Sequence, residues 1–447
     1  MLLSTSGAQA AAHRGAVLVK DIHPGRSGSN SITRYGSYVG GQLTNVSGTL
    51  YFSADDGRHG QELWRSDGTV RGTRMVKDIN PGPRSGYFSG ITPVGRTLYF
   101  SADDGVHGVE LWRSDGTRAG TRMVKDLNPG SAFYNGVGWL IGVSGTLYFD
   151  VNEGTQYPSE IGLWRSDGTE AGTTLVKTIH SFGSPADVNG TLYFAGAGTD
   201  ATGFHSGLWR SDGTPAGTTI VNESPDLGLL HDLTNVSGTL YFISDTIPHG
   251  SGSAVDRELW RSDGTEVGTT MVKDFGTSPP GDLTDVSGIL YFVAPDGVHN
   301  ALWRSDGTEA GTTVVMDLDI ASDLTAVKGI IYFSAGEALW RSNGTPQGTT
   351  LVKGALNAAS LTAAKDTLYF VGTDKRHGQE LWRSDGTRKG TRMVRNIRPG
   401  SASSQPLFLT NVNGTLYFTA KDGRHGRELW RAGPRPCRTA KGKCKKG

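Results

Sequence analysis

One motif returns along the whole length of the sequence. Its first copy reads Glu62-Leu-Trp-Arg-Ser-Asp-Gly-Thr69. The Leu-Trp-Arg core occurs nine times, at intervals of 37 to 52 residues. Its tryptophans are Trp64, Trp112, Trp164, Trp209, Trp260, Trp303, Trp340, Trp382 and Trp430. Periods of about 20 to 50 residues are typical of propellers, solenoids and arrays. The motif therefore indicates a repeat architecture, and it overrides the two or three domains otherwise expected for 447 residues.

Each repeat contains four short segments with the character of β-strands. In the first repeat they span residues 43–46, 49–54, 62–65 and 73–79, and we label them a, b, c and d. They are rich in β-branched and aromatic residues and alternate in polarity. Two-residue turns such as Ser47-Gly48 and Asn189-Gly190 join a to b, which suits hairpins that need positive φ. Four antiparallel strands per repeat are the size of a propeller blade.

The two ends of the repeat region are complementary. Residues 16–22 form a d segment with no a, b or c before it, whereas the last repeat stops at Arg431 after segment c. The N-terminal segment can therefore supply the missing strand and leave no unpaired edge. We predict an all-β fold, a closed β-propeller of about nine four-stranded blades over residues 16–431, with the N-terminal strand completing the last blade. An eight-bladed ring with one irregular repeat is the alternative.

The segments outside the repeats are short. Residues 1–15 resemble an export-signal cleavage region around Ala8-Gln9-Ala10 but lack a basic start, so we interpret them as a leader or a remnant of an export signal. Residues 432–447 are predicted to be a basic, disordered tail, and they hold Cys437 and Cys444, either as a disulfide or as free thiols. The repeat region shows no basic stripe for sequence-specific nucleic-acid binding and no apolar run of the ~18 residues that a membrane span needs.

The motif resembles the repeat of the bacterial ELWxxDGT family. The copies at 62–69, 110–117, 258–265 and 380–387 carry the resemblance, which covers roughly residues 16–431. The glutamate is absent at Gly162, Gly207, Ala301 and Ala338, and Asn343 replaces the aspartate once. The resemblance implies a bacterial repeat protein that is secreted or located at the cell surface. It transfers no catalytic residue.

The loops between segments b and c contain the candidate binding residues. In four repeats this loop carries a histidine, as in Asp55-Asp-Gly-Arg-His-Gly-Gln-Glu62. The d–a loops near these repeats are long and contain Pro-Gly, at residues 23–25, 80–82, 128–130 and 398–400. Both kinds of loop leave the same face of a blade, and repeats 8, 9, 1 and 2 are neighbours in a closed ring. The predicted ligand-binding residues are His59, Glu62, His107, Glu110, His377, Glu380, His425 and Glu428.

Simpler explanations compete with a metal or aromatic site. Asp67 and its copies offer one carboxylate per repeat, whereas calcium takes six to eight oxygens. Turn capping by aspartate and threonine explains the motif, so we predict no cofactor, with calcium as the alternative. Histidines on separate blades are too far apart to share one metal, whose ligands lie about 2 Å from it. The repeated tryptophans and tyrosines are explained by packing between blades.

Three functions remain open. The favoured hypothesis is a non-enzymatic propeller that binds an extracellular polysaccharide or protein partner through the histidine loops. The second is an enzyme, either a polysaccharide lyase or hydrolase or a quinone-dependent dehydrogenase, using acids near the central channel such as Asp187, Asp232, Asp282 and Asp323. Recognisable hydrolase, metalloprotease, dinucleotide and P-loop motifs are absent from the sequence. The third is a purely structural envelope or matrix protein.

Overall fold

The structure, a computed structural model, describes residues 15–25, 28–29, 43–127, 129, 136–152, 161–200, 203–222, 229–246, 255–297, 299–318 and 320–433. Residues 1–14 of the proposed leader at 1–15, Asn128 and Gly130, and the tail with Cys437 and Cys444 lie outside these ranges. Within these ranges the chain forms strands and turns and contains no helix. None of the described residues forms a helix of the length and apolar character that crossing a bilayer requires.

The described residues form thirty-six strands, numbered here in chain order. They are β1 (Val17–Lys20), β2 (Thr44–Val46), β3 (Thr49–Asp55), β4 (Gln61–Ser66), β5 (Arg74–Lys77), β6 (Ser89–Val94), β7 (Thr97–Asp103), β8 (Val109–Ser114), β9 (Arg122–Lys125), β10 (Val137–Val143), β11 (Thr146–Asn152), β12 (Ile161–Ser166), β13 (Thr174–Ile179), β14 (Ser181–Val188), β15 (Thr191–Asp200), β16 (Gly203–Ser211), β17 (Thr219–Asn222), β18 (Leu229–Val236), β19 (Thr239–Thr246), β20 (Asp256–Ser262), β21 (Thr270–Asp274), β22 (Gly281–Val286), β23 (Ile289–Pro295), β24 (Asn300–Ser305), β25 (Thr313–Asp317), β26 (Ile320–Val327), β27 (Ile330–Ala335), β28 (Ala338–Ser342), β29 (Thr350–Lys353), β30 (Ala359–Ala364), β31 (Thr367–Asp374), β32 (Gly378–Ser384), β33 (Arg392–Arg395), β34 (Leu407–Val412), β35 (Thr415–Lys421) and β36 (Arg427–Ala432).

The strands of the described chain form nine antiparallel sheets of four, each one blade. Blade 1 is β2-β3-β4-β5, and each following group of four strands forms the next blade up to β30–β33 in blade 8. Blade 9 has the order β34-β35-β36-β1. The first strand of each blade contacts the first strands of both neighbouring blades, and β2 contacts β34 across the seam. Strand a is therefore innermost, and the predicted closed ring of nine blades is confirmed.

The N-terminal strand completes blade 9 with the geometry of every other d strand. In blade 1, Leu63 pairs with Lys77 and Trp64 with Met75, so that Val76 forms a β-bulge. At the seam, β1 pairs with β36 through the same shift, and Val19 occupies the bulged position. A bulge adds one residue to one strand and increases the local twist. The seam strand thus reproduces the regular blade, which confirms the predicted closure.

The hydrophobic core of the described residues lies between the blades. It forms nine clusters, each built from two adjacent blades. The cluster between blades 1 and 2 contains Tyr51 and Leu63 from one side and Phe100 and Trp112 from the other. Such side chains are buried only when blades stack, because one sheet cannot cover both of its own faces. The repeated aromatic residues pack blade against blade, as the sequence predicts.

Candidate functional site

Each of the four histidine loops is folded around an aspartate. In blade 1, Asp56 Oδ1 accepts hydrogen bonds from the backbone N–H groups of Arg58 at 2.9 Å and His59 at 3.0 Å. Asp56 Oδ2 lies 2.9 Å from His59 Nδ1. The arrangement recurs in Asp104 with His107, Asp374 with His377, and Asp422 with His425. The aspartate therefore orients the imidazole through Nδ1 and leaves its Nε2 edge free to meet a ligand.

Several groups in these pairs have pKa values shifted toward their charged forms. Partial burial opposes the shift, but hydrogen bonds from the ring and backbone of His59 hold the pKa of Asp56 below its usual value. The hydrogen bond to Asp104 raises the pKa of His107, and Asp422 does the same for His425. More imidazolium is therefore present at neutral pH than for an isolated histidine. The residue before the histidine is an arginine in three of the four loops: Arg58, Arg376 and Arg424.

The four predicted glutamates lie beneath the histidine loops. Glu62 is fully buried, and its carboxylate accepts the backbone N–H groups of Ile79 at 2.7 Å and Asn80 at 3.2 Å in the following d–a loop. Glu110 accepts the N–H of Leu127 at 2.8 Å. These glutamates therefore hold the d–a loops in place and support the candidate surface from below.

The same anchor occurs in blades 8 and 9. Glu380 accepts the N–H of Ile397 at 3.0 Å and the hydroxyl of Ser404 at 2.7 Å. Glu428 accepts the N–H of Ile22 at 3.1 Å and the hydroxyl of Ser29 at 2.6 Å. Burial outweighs these hydrogen bonds and raises the pKa of Glu62 to about 8 and of Glu428 to about 7. The charge of these two glutamates therefore changes between weakly acidic and weakly basic pH.

The d–a loops connect the histidine loops of neighbouring blades. His23 lies against Gly57 of the next blade, where an added Cβ would come within 2.8 Å of His23 Nε2. Asn80 lies against Gly105 in the same way, and Arg398 lies near Gly423. We call residues 55–60, 103–108, 374–378 and 421–426 the His-loop sector. It runs without a break across blades 8, 9, 1 and 2.

The structure confirms that the b–c and d–a loops share one face. The N–H of Gln61, at the end of the first histidine loop, donates to Ser85 Oγ at 3.2 Å, and the N–H of Gly86 donates to the carbonyl of Gln61 at 3.0 Å. Ser85 and Gly86 belong to the d–a loop between blades 1 and 2. The b–c loop of blade 6 also carries a histidine, but His299 Nδ1 lies 3.4 Å from Asp317 of strand d. Blade 6 therefore lies outside the sector in both sequence and geometry.

The Ser-Asp-Gly-Thr turns are closed by their own side chains. Asp67 Oδ1 accepts a hydrogen bond from the hydroxyl of Thr69 at 2.7 Å, and Thr69 Oγ1 accepts one from the backbone N–H of Gly72 at 3.0 Å. In blade 7 the uncharged amide of Asn343 accepts the hydroxyl of Thr345 at 2.8 Å. An acceptor oxygen of either a carboxylate or an amide therefore closes the turn. Within the described ranges, no group of three His, Cys, Asp or Glu side chains is arranged to hold a metal ion.

Two basic positions of the motif have a role that sequence reasoning missed. Arg65 Nη1 donates to the carbonyl of Gly116 in blade 2 at 2.8 Å. Lys77 Nζ donates to the carbonyl of Thr121 at 2.9 Å and lies 5.2 Å from the ring centroid of Trp112. Both contacts point from one blade to the next. The regular spacing of Leu-Trp-Arg and Met-Val-Lys is the signal that could have indicated them.

The proposed channel acids fall into two structural groups. Asp187 caps its own hairpin by accepting the N–H of Gly190 at 2.8 Å. Asp232, Asp282 and Asp323 instead lie at positive φ in the innermost strands. Asp282 Oδ2 accepts the N–H of Asp323 at 2.7 Å, and Asp323 Oδ2 accepts that of Ser360 at the same distance. Asp282 and Asp323 therefore make the same kind of hydrogen bond from one blade to the next. A catalytic acid would be expected to occur once in the ring, whereas this link recurs.

One acid does break the repeat. Asp150 stands in strand b of blade 3, where the other eight blades have serine, alanine, valine, isoleucine or threonine. Burial raises its pKa to about 6, although it accepts the backbone N–H of Trp139. The indole of Trp139, which lies outside the repeated motif, is 56% exposed. A comparison of aligned b segments could have identified Asp150 from the sequence.

Comparison with known proteins adds little to this description. No family model matches the sequence, and no curated protein matches it. Among solved structures, the chain is similar to a puromycin hydrolase, with 12% identity, a TM-score of 0.40 and coverage of 75% of this chain and 58% of that one. It is also similar to an oligogalacturonate lyase in complex with manganese, with 12% identity, a TM-score of 0.41 and coverage of 94% and 98%.

A third similar structure is the β-propeller domain of the Trilobed protease from Pyrococcus furiosus, with 12% identity, a TM-score of 0.38 and coverage of 69% and 97%. The chain spans little more than half of the puromycin hydrolase and of a prolyl endopeptidase, at 58% and 54% of their lengths. Similarities this weak carry no conclusion about ligand or activity.

Proposed function

We propose that this protein is a secreted or surface-associated, non-enzymatic β-propeller that binds an acidic extracellular polysaccharide through the His-loop sector. One observation carries the proposal. Four histidine–aspartate loops of the same geometry lie in consecutive blades on one face. Loops on a rigid scaffold are where binding residues concentrate. The resemblance to the ELWxxDGT repeat family supports the proposed location.

The chemistry of the sector favours an anionic ligand. His107 and His425 have raised pKa values because each ring is hydrogen-bonded to an aspartate. Arg58, Arg376 and Arg424 add permanent positive charge beside three of the four imidazoles. The aspartates engage Nδ1, so Nε2 at the outer edge of each ring donates a hydrogen bond when the imidazole is protonated. Carboxylate or sulfate groups complement that edge.

The repetition of the loops favours a polymer over a small molecule. Each loop alone offers one imidazole and in most cases one arginine, which gives a weak site that salt screens. A chain that meets several loops in succession gains affinity from multivalency, because each further contact is intramolecular. A linear polysaccharide with one acidic group per residue or disaccharide meets this requirement. A globular protein partner would need a matching array of its own.

The proposal is tested by retention on immobilised polysaccharides. Full-length protein is passed over polygalacturonate, alginate, chondroitin sulfate and neutral dextran, with and without EDTA. We expect retention on at least one acidic polymer, none on dextran and no effect of EDTA. Replacing His59, His107, His377 and His425 together with alanine should reduce retention at least tenfold.

The control is a variant with His231 and His299 replaced by alanine, because both lie outside the sector. Circular dichroism and the thermal midpoint establish that each variant is folded. Unchanged retention of the quadruple variant would exclude the sector as the binding surface. Loss of wild-type retention with EDTA would reassign the interaction to a metal ion.

A propeller enzyme acting on polysaccharide is the second candidate, and Asp150 is the observation in its favour. Its pKa of about 6 suits a general acid, and the exposed indole of Trp139 beside it offers a stacking surface for a sugar ring. Glycoside hydrolysis normally uses two carboxyl groups, and Asp150 supplies one. Release of reducing ends from the same polymers, abolished by Asp150→Asn, would establish this activity over the binding function.

A further inference from the structure

A cavity of about 280 Å³ lies at the seam of the ring. It is lined by Tyr369, Arg383, Arg392 and Met393 of blade 8 and by the backbone of Gly15 and Gly433. It lies on the side of the c–d turns, opposite the His-loop sector. Small-molecule sites usually begin near 300 Å³. The volume of the cavity lies just below that range, which suits a ligand of a few heavy atoms such as acetate or sulfate.

In blades 1 to 7 the equivalent place is filled by the next blade. The c–d turn of blade 2 puts Gly116 against the hydroxyl of Tyr51, where an added Cβ would come within 2.1 Å of the oxygen. The carbonyl of Gly116 accepts the hydrogen bond from Arg65. The corresponding turn glycines that meet a tyrosine hydroxyl are Gly168, Gly213, Gly264, Gly307, Gly344 and Gly386. A tyrosine hydroxyl in each of these seven blades is thus covered by a neighbouring turn, and in blades 1, 2 and 4 an arginine also donates to the glycine carbonyl of that turn.

The seam removes this cover from blade 8. Strands c and d of blade 9 are β36 and β1, which come from opposite parts of the chain, so no c–d turn joins them. Blade 9 keeps the contact with its own successor, because Arg431 Nε donates to the carbonyl of Gly68 in the c–d turn of blade 1 at 3.0 Å. Tyr369 and Arg383 are left facing a cavity where a turn carbonyl would lie. Within the described part of the chain, the Arg383 guanidinium has no hydrogen-bond or ion-pair partner.

A second guanidinium group stands beside the first. Arg392 is the cross-strand partner of Arg383. Directly opposed like charges destabilise a sheet. Burial, followed by the charge of Arg392, lowers the pKa of Arg383, and the weaker opposing effects of Tyr369 and Asp385 do not cancel this shift. An anion between the two groups would remove the repulsion and supply the missing acceptor.

We propose that the seam cavity is an anion-binding site that takes a small oxyanion group, a carboxylate or a sulfate, held by the guanidinium groups of Arg383 and Arg392 and by the hydroxyl of Tyr369. Planar guanidinium groups bind such oxyanions through paired, charge-assisted hydrogen bonds. The site is independent of the His-loop sector, so its test is separate from the test of the proposed function.

The test is a titration of full-length protein, labelled with ¹⁵N-arginine, followed by NMR of the arginine Nε–H signals. Sodium acetate and sodium sulfate are the two probes, each added at constant ionic strength against sodium chloride. We expect saturable shifts of the Arg383 signal with at least one probe. The probe with the lower Kd identifies the carboxylate or the sulfate class.

Matched variants complete the test. Arg383→Gln should weaken binding at least tenfold, as measured on the Arg392 signal, whereas Arg113→Gln should leave the Kd unchanged because Arg113 already bonds to the carbonyl of Gly168. If Arg383→Gln does not fold, Arg392→Gln at its exposed position should produce the same loss. Absence of saturation in the wild type, or an unchanged Kd in both cavity variants, would overturn the proposal.

Discussion

Lys77 extends from blade 1 over the indole ring of Trp112 in blade 2, with Nζ 5.2 Å from the ring centroid. The same contact recurs between other neighbouring blades: Lys20 with Trp64, Lys125 with Trp164, Lys177 with Trp209, Lys273 with Trp303 and Lys353 with Trp382. Arg395 takes the place of the lysine against Trp430. Every one of these contacts points from a blade to its successor. These cation–indole contacts therefore run in one direction around the ring, in addition to the apolar packing between blades.

Replacing Lys77 with methionine should lower the free energy of unfolding by about 1–3 kcal/mol. The variant keeps the aliphatic stem but loses the cation over the indole and the charged hydrogen bond to Thr121, each worth about 1–2 kcal/mol. Unfolding in urea measures the effect. Lys389→Met, in an exposed c–d turn, is the control and should change stability little. Equal effects of the two substitutions would show that the interblade contact contributes nothing.

Closure makes the N-terminal strand as important as any interior strand. Val19 and Val76 occupy the same bulged position and are 2% and 7% exposed. We expect Val19→Ala and Val76→Ala each to reduce the free energy of unfolding by about 1–3 kcal/mol, because both delete buried methyl groups. Parallel urea titrations compare the two. A much smaller effect of Val19→Ala would mean that β1 frays and the ring opens at the seam.

The buried glutamates make stability fall as the pH rises. Glu62 has a normal pKa of 4.5 that burial raises to about 8, so between these values the native state retains a proton that the unfolded chain has lost. Its stabilising contribution is complete below about pH 4.5 and is lost as the pH rises through about 8. Glu428, with a pKa of about 7, acts in the same direction.

Unfolding free energies measured between pH 4.5 and 8 test this linkage. Glu62→Gln cannot titrate and should show a shallower decline than the wild type over that range. Glu170→Gln, in an exposed turn, should keep the wild-type slope. A wild-type profile that rises across the range would show that the hydrogen bonds from Ile79 and Asn80 hold Glu62 ionised instead.

Binding by the His-loop sector should strengthen as the pH falls from 8 to 6. Hydrogen bonding to Asp104 raises the pKa of His107, and hydrogen bonding to Asp422 raises the pKa of His425. As the pH falls, these two rings therefore become protonated at a higher pH than an ordinary histidine does. Retention on an acidic polysaccharide, measured at fixed ionic strength, should increase accordingly. Asp104→Asn removes the charge partner of His107 and should move the transition to lower pH. Retention that is independent of pH would remove the imidazoles from the interaction.

The fold could be predicted from the sequence because its decisive signals are periodic. Alternating strands, two-residue turns and the complementary ends at residues 16–22 and Arg431 determine the number of blades and the seam. The shared face of the histidine loops followed from the same up-and-down order. All of these properties depend on position along the chain, which a repeat preserves.

The roles of individual polar residues could not be predicted, because they depend on neighbours that are distant in sequence. The carboxylate of Glu62 stands in the sequence beside His59, yet it turns inward to the backbone of Ile79. Asp187 and Asp282 both lie in innermost strands, but one caps its own hairpin and the other reaches the next blade. Arg65 donates to a turn carbonyl of the next blade, whereas Arg383 faces a cavity at the seam, and this difference follows from the packing of the blades.

The directional contacts between blades also bear on how such genes change length. Arg65 and Lys77 find their acceptors in whichever repeat follows, and the acceptors are backbone carbonyls of Gly116 and Thr121. Unequal recombination that inserts or deletes one whole repeat would therefore leave the lysine contact complete wherever the preceding blade carries the lysine, which Asn222 and Met316 replace in blades 4 and 6. Only the wedge angle between blades would have to adjust. The circumference of a ring built from this repeat can therefore change while most joints keep the same kind of contact.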